Sequence, residues 1–132
     1  MEGTHIIALE KSSELSQLLS EEDNKTLEDY SRNLSVVEDS KLARDYECIM
    51  HDITEGGVLG AVWETCEMIG FGAKLDYSSM PLSETSKKIC NFYNINPLRL
   101  ISSGSMLIVA KAHSSKALEQ AFALSNIRLS KI

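Results

Sequence analysis

The chain has 132 residues, 43% of them apolar, which is enough for one domain with a core of its own. Its 19 acidic residues outnumber 13 Lys and Arg, and a net charge of −6 excludes a nucleic-acid binder that relies on clustered positive charge. No apolar run approaches the ~20 residues of a membrane helix, and no basic segment followed by an apolar core opens the chain, so neither a helical span nor a secretory leader is expected.

In chain order, "EGTHIIALEKSSELSQLL" places Ile6, Ile7, Leu15, Leu18 and Leu19 at loose helical spacing, and Ser20 before "EED" reads as an N-cap with an acidic first turn. Two helices are expected over residues 3–34 and a short third in "SVVEDSKLARDY". "ECIMHD" (47–52) reads as a buried strand. After a double glycine, Val58, Leu59, Val62, Trp63, Cys66 and Ile69 recur every three or four residues, the inward face of an amphipathic helix that stops at Gly70 or Gly72. "GAKLDY" (72–77) is a second strand candidate. Ser83 and Glu84 open a helix carrying Ile89, Phe92 and Tyr93, and Asn96 and Pro97 break it. "SMLIVAK" (105–111) is the clearest strand. "SSKALEQAFALS" is a helix with Ala117, Leu118, Ala121 and Phe122 inward, and "NIRLSKI" (126–132) alternates as a final strand. Helices followed by β-α-β-α-β-α-β imply a sheet with helices packed on it, and no linker or repeat divides residues 1–132.

Charge is uneven along the chain: residues 1–55 hold fourteen acids and five bases, and residues 56–132 hold five acids and eight bases. The opening third is a solvated acidic helix face or a surface for a basic partner. Cys48, Cys66 and Cys90 form no C-x-x-C pair and are odd in number, which points to reduced, packed thiols and a cytoplasmic setting. His5, His51 and His113 lack metal-ligand spacing, so no metal site is expected.

The chemistry-bearing stretch is "MHDITEGGVLGAVWE". A helix starting at Gly56-Gly57 leaves backbone N–H groups unpaired beside its positive dipole end, and glycine lets an anion approach closely. Asp52 and Glu55 in the same loop would repel a bare phosphate, but they could orient a cation or a substrate amine. The alternative is ordinary capping by Thr54 or Asp52 with the glycines making a tight turn. His51, beside Asp52, is a hydrogen-bonded strand-end residue or a general acid/base. Ser102, Ser103, Gly104 and Ser105 form a turn or an anion-binding nest before the strongest strand. No G-x-S-x-G surrounds these serines, so a nucleophile elbow is not expected.

"MHDITEGGVLGAVWE" followed by "NPLRLISSGSMLIVA", with "EGTHIIALE" at the start, resembles the carboxy-terminal half of AIR synthase-related proteins. This superfamily includes aminoimidazole ribonucleotide and formylglycinamidine ribonucleotide synthetases, selenophosphate synthetase, thiamine monophosphate kinase and the hydrogenase-maturation carbamoyl dehydratase. The resemblance implies an α+β fold, a three-layer α/β/α sandwich partly like the ferredoxin topology. It implies an ATP-dependent parent whose upstream ATP-binding domain supplies most of the Mg-ATP site and the homodimer contact. The present residues would then be a fragment, binding no cofactor alone and facing an unknown small-molecule or protein substrate. Carried over, Asp52, Thr54, Glu55, Gly56 and Gly57 line the cleft; within it Asp52 and Glu55, with His51 beside them, are the candidate catalytic residues. Thr54, Gly56, Gly57, Ser102, Ser103, Gly104 and Ser105 meet substrate or phosphate. A non-catalytic ligand-binding or assembly module of the same fold is the rival reading.

Overall fold

A computed structural model describes all residues, Met1–Ile132. The first unit is helical: α1 (Glu2–Glu10), α2 (Ser12–Leu15), α3 (Glu21–Arg32) and, from later in the chain, α6 (Glu84–Phe92). Ser20 caps α3 as its sequence predicts: Ser20 Oγ accepts the Asp23 N–H at 3.2 Å, and the Asp23 carboxylate accepts the Ser20 N–H at 2.9 Å. Ser83 does the same for α6, accepting the Ser86 N–H at 3.0 Å. These starts let Ala8, Leu15, Leu27 and Ile89 meet in one cluster, with Ile7, Leu18, Leu19, Tyr30 and Tyr93 around it.

The second unit is built on a ribbon of two antiparallel strands, β1 (Cys48–Asp52) and β2 (Met106–Ala110), in register from Cys48 opposite Ala110 to Asp52 opposite Met106. Side chains alternate faces along each strand, and the two faces are covered by different helices. Cys48, Met106, Ile108 and Ala110 pack against Ala43 of α4 (Val37–Ala43) and Leu118 and Phe122 of α7 (Ser115–Leu124). Leu107 faces the other way with Ile53 and meets Ala61 of α5 (Gly57–Ile69). Helix, sheet and helix thus form three layers of an α+β domain.

Two expected strands do not join the ladder. At residues 72–77 the chain leaves α5 through Gly70 (φ +72). Asp76 then accepts the Ser78 N–H at 2.9 Å and opens a 3-10 turn at Tyr77–Ser79, so a local side-chain bond ends the extended segment. At residues 126–132, Asn126 has φ +56, and the N–H groups of Asn126 and Ile127 stay with the last turn of α7, on Ala123 O and Phe122 O. The apolar alternation there is real without being a strand: Ile127 and Leu129 cover the α7-side cluster, and Ile132 covers the α5-side cluster.

The inward face of α5 also differs from expectation. Gly57, Ala61 and Thr65, four residues apart, are buried, with Val58, Leu59, Val62, Cys66 and Ile69 half-buried beside them. Trp63, expected inside, is 64% exposed. The reason is close approach: a Cβ on Gly57 would lie 2.6 Å from Leu98 O and 2.7 Å from Leu100 O, so the helix rests on its small residues and turns the large ring outward. On α7, Leu118 and Phe122 are buried as expected, whereas Ala117 is exposed.

Candidate functional site

The fold brings the two polar loops together. Beyond the last ladder pair, the Ile53 N–H donates to Ser105 O at 3.0 Å, and the Ser102 N–H donates to Ile53 O at 3.1 Å. The 52–57 loop and the 102–105 turn, separated by about a third of the chain in sequence, therefore sit side by side at one end of the ribbon. The turn itself closes with the Ser105 N–H on Ser102 O at 3.0 Å and has Gly104 at φ +86 in its third position, a conformation that suits glycine. A side chain there would also collide with the carbonyl of Asn33, which ties the turn to the end of α3. Ser102 Oγ accepts the Met1 amine at 2.6 Å and lies 3.2 Å from Ser105 Oγ; Ser103 is the second residue of the turn.

In the first loop, Gly56 (φ +76) and Gly57 (φ +61) are both left-handed. Thr54 contributes its carbonyl, accepting the Gly57 N–H at 3.1 Å, but neither Thr54 nor Asp52 caps α5 with its side chain. Of the capping alternative, the side-chain cap is absent and the tight glycine turn is present. No acceptor within the protein meets the N–H groups of Gly56, Val58 or Leu59. Thirteen aligned residues of α5 add their dipole to these open donors.

The ionisable residues are placed differently from one another. Asp52 ends β1 with its side chain 65% exposed, and Glu55 is exposed at the loop tip. His51 lies on the α5 side of the ribbon, where Nε2 is 2.9 Å from Glu64 Oε2 of α5 and Nδ1 is 2.6 Å from Asp52 O. Both ring nitrogens face oxygen acceptors, so the imidazole is fixed in plane, and a neutral ring can satisfy only one of the two. Sequence reading did not find Glu64, because the partner of His51 is thirteen residues away and comes into reach only when α5 folds back over β1.

The main cavity, about 690 Å³, borders the second loop and reaches the first only at Ile53 and at Val58 in the first turn of α5. Ser102, Gly104 and Ser105 line it, whereas His51, Asp52, Glu55, Gly56 and Gly57 do not. Its other polar lining was not legible beforehand. The Tyr30 hydroxyl donates to Ser83 Oγ at 2.5 Å, Ser83 Oγ donates to Ser86 Oγ at 3.1 Å, and Ser86 Oγ lies 3.0 Å from Thr4 Oγ1. Only Ser83 carried a signal, as the cap of α6. The thiols take packing positions: burial pushes Cys48 and Cys90 above the ordinary thiol value, and Cys48 Sγ donates to Ala43 O at 3.2 Å. No three His, Cys, Asp or Glu side chains come together as a metal-holding group, and no helix is long and apolar enough to cross a membrane.

The pairing of these two loops, the glycine-started helix and the three layers accompany a family match along essentially the whole chain: the model of the AIR synthase related protein, C-terminal domain, matches residues 2–132. The chain belongs to that family. No curated protein and no solved structure matches it. In this AIR synthase-related C-terminal domain, the residues expected to meet ligand divide into an outward-facing loop with open N–H donors and a serine turn at the mouth of an apolar cavity.

Proposed function

We propose that this domain forms one wall of the cleft of an ATP-dependent AIR synthase-related enzyme, whose other wall is an ATP-binding domain that also makes a homodimer contact. The observation that supports the reading is the junction of the two loops through Ile53, which turns two distant motifs into one polar edge. Open N–H groups at Gly56, Val58 and Leu59 fit the oxygen of a phosphate or carboxylate, because donors at a helix start and the helix dipole both favour negative charge. ATP bound with Mg supplies the phosphoryl group that activates an amide or acid oxygen.

The roles of this chain's residues follow from their chemistry. The Gly56, Val58 and Leu59 amides hold substrate or phosphate oxygens without reorganising as charge develops. Asp52 and Glu55, exposed beside them, repel an unaccompanied phosphate and so favour one that arrives with a cation, or a substrate carrying an amine. His51, held by Glu64, presents its ring at the root of this loop as a proton acceptor or donor. Ser102, Ser103, Gly104 and Ser105 orient the non-reacting part of the substrate. A cytoplasmic enzyme acting on a small molecule fits these features.

The test uses the complete two-domain protein. Asp52→Asn and Glu55→Gln are each expected to lower kcat by about 100-fold, in the range of general acid/base and charge-positioning effects. Near-wild-type turnover in both variants would remove the catalytic assignment. A second reading, a non-catalytic binding or assembly module, draws support from the position of Asp52 and Glu55 outside the main cavity. It expects ligand binding without ATP turnover in the same protein.

A further inference from the structure

The α5 helix has two sides. Val58, Val62, Thr65, Cys66 and Ile69, on its inner side, border the main cavity, whereas the outer side does not reach it. On the outer side Trp63, Glu67 and Phe71 follow one another in steps of four, and Glu64 and Met68 lie alongside them. Three of these five are large and apolar, and all three stand in water: Trp63 is 64% exposed, Met68 63% and Phe71 73%. Phe71 belongs to the row although it follows the helix, because its N–H still donates to Cys66 O at 3.3 Å across the left-handed Gly70. An apolar residue in that position commonly folds back on the last turn, and here its ring stays out.

Charge decides what fits this face. Residues 45–73 hold six acids and no Lys or Arg, although residues 56–132 as a whole carry more bases than acids. Glu64 reaches His51 Nε2 at 2.9 Å and keeps its side chain 52% exposed, and Glu67 is exposed and makes no ion pair. A convex helix face does not enclose a small molecule. An anionic membrane surface repels carboxylates set among the apolar side chains. A second copy in twofold register brings the same carboxylates together with no Lys or Arg between them. A helix that carries Lys or Arg beside leucine-sized side chains meets every group: the apolar residues cover Met68 and Phe71, and a cation lies on the indole of Trp63 with Glu64 and Glu67 beside it. The 13 residues of α5 present a length of about 20 Å, enough to match a partner helix of three to four turns.

We propose that the outer side of α5 is a docking face for a basic amphipathic helix of a partner protein. The face lies away from the main cavity, and the proposal does not rest on the reading of the 52–57 loop. The probe is the acetylated, amidated peptide KLAKKLAKKLAKKL, titrated calorimetrically into the 132-residue chain. Its controls are ELAEELAEELAEEL, which reverses the charge, and KSSKKSSKKSSKKS, which keeps the charge and removes the apolar side chains. The first peptide binds one to one, the acidic control does not bind, and the polar control binds about tenfold or more weakly. Trp63→Ala weakens binding of the first peptide by about tenfold or more, as expected for a central aromatic anchor. Phe71→Ala weakens it in the same direction and decides the matter if Trp63→Ala does not fold. Glu64→Gln with Glu67→Gln weakens it by about three- to tenfold, the scale of two exposed ion pairs. Leu124→Ala, at a side chain 90% exposed on α7, leaves it unchanged. Equal binding of the acidic and basic peptides, or unchanged affinity in both aromatic variants, overturns the proposal. So does dimerisation of the free chain, or its partition onto phosphatidylcholine vesicles, when Trp63→Ala abolishes it. Exclusion of the peptide from the complete two-domain protein overturns it as well, since the face is then covered from within.

Discussion

Adjacent glycines at the start of α5 perform different tasks. At Gly57 the missing Cβ is a packing requirement, since the backbone at Leu98, Arg99 and Leu100 would lie 2.6–2.8 Å from it, and φ is +61 as well. Gly56 has φ +76, but its nearest obstacle is Gly60 Cα at 3.2 Å. Gly57→Ala is therefore expected to cost roughly 2–5 kcal/mol, the left-handed penalty plus overpacking, and Gly56→Ala roughly 1–2 kcal/mol. Urea denaturation followed by circular dichroism measures both, and equal losses would contradict this division. The double glycine was legible as a conformational signal. That Gly57 serves the contact with residues 98–100 was not legible, because the contact joins segments about forty residues apart. His51 gives the same lesson: its neighbour Asp52 was visible in the sequence, and its nearer carboxylate, Glu64, was not.

Between elements, the joint of α3 and α6 is where the acidic opening third becomes more than a solvated face. Asp23 is buried, and it accepts from Ser20, from Thr85 Oγ1 at 2.8 Å and from Lys88 Nζ at 2.7 Å. Burial alone raises its carboxyl, but these donors outweigh burial and hold it well below the ordinary carboxylate range. A folded-state value below the unfolded one adds stability that is complete above about pH 4 and is lost as pH falls toward the depressed value. Asp23→Asn should lower stability at pH 7 by about 1–3 kcal/mol and flatten the decline below about pH 4. Urea midpoints taken from pH 7 to pH 2.5 decide it: parallel curves for wild type and variant would show that Asp23 is not the group responsible. Caps at Ser20 and Ser83 were readable because capping is local chemistry, recorded within four residues. The missing strands at 72–77 and 126–132 have strand-like sequences, but local bonds at one end of each, from Asp76 and from the last turn of α7, fix the chain's course there, and a periodicity argument does not see them.

For the molecule as a whole, surface is in excess. A folded monomer of 14.6 kDa exposes about 6,900 Å² by the usual size scaling, whereas this domain exposes 8628 Å², and only 21 of its 132 residues are buried. The core is divided among three small clusters, two of them on opposite faces of one ribbon. A domain built this way gains from anything that covers it. Supplying the proposed ATP-binding half in trans at about 100 times its Kd should stabilise the domain by about 2.7 kcal/mol and raise its Tm. A melting midpoint unmoved by saturating amounts of that half would argue against a shared cleft.

The outward turn of the lone indole also decides how the protein can be watched in solution. Trp63 already stands largely in water in the folded state, so its emission should change little on denaturation, and a fluorescence melt would miss a transition that far-ultraviolet dichroism records. The same placement makes it a built-in reporter of anything that seats on the outer side of α5, through a blue shift that needs no label.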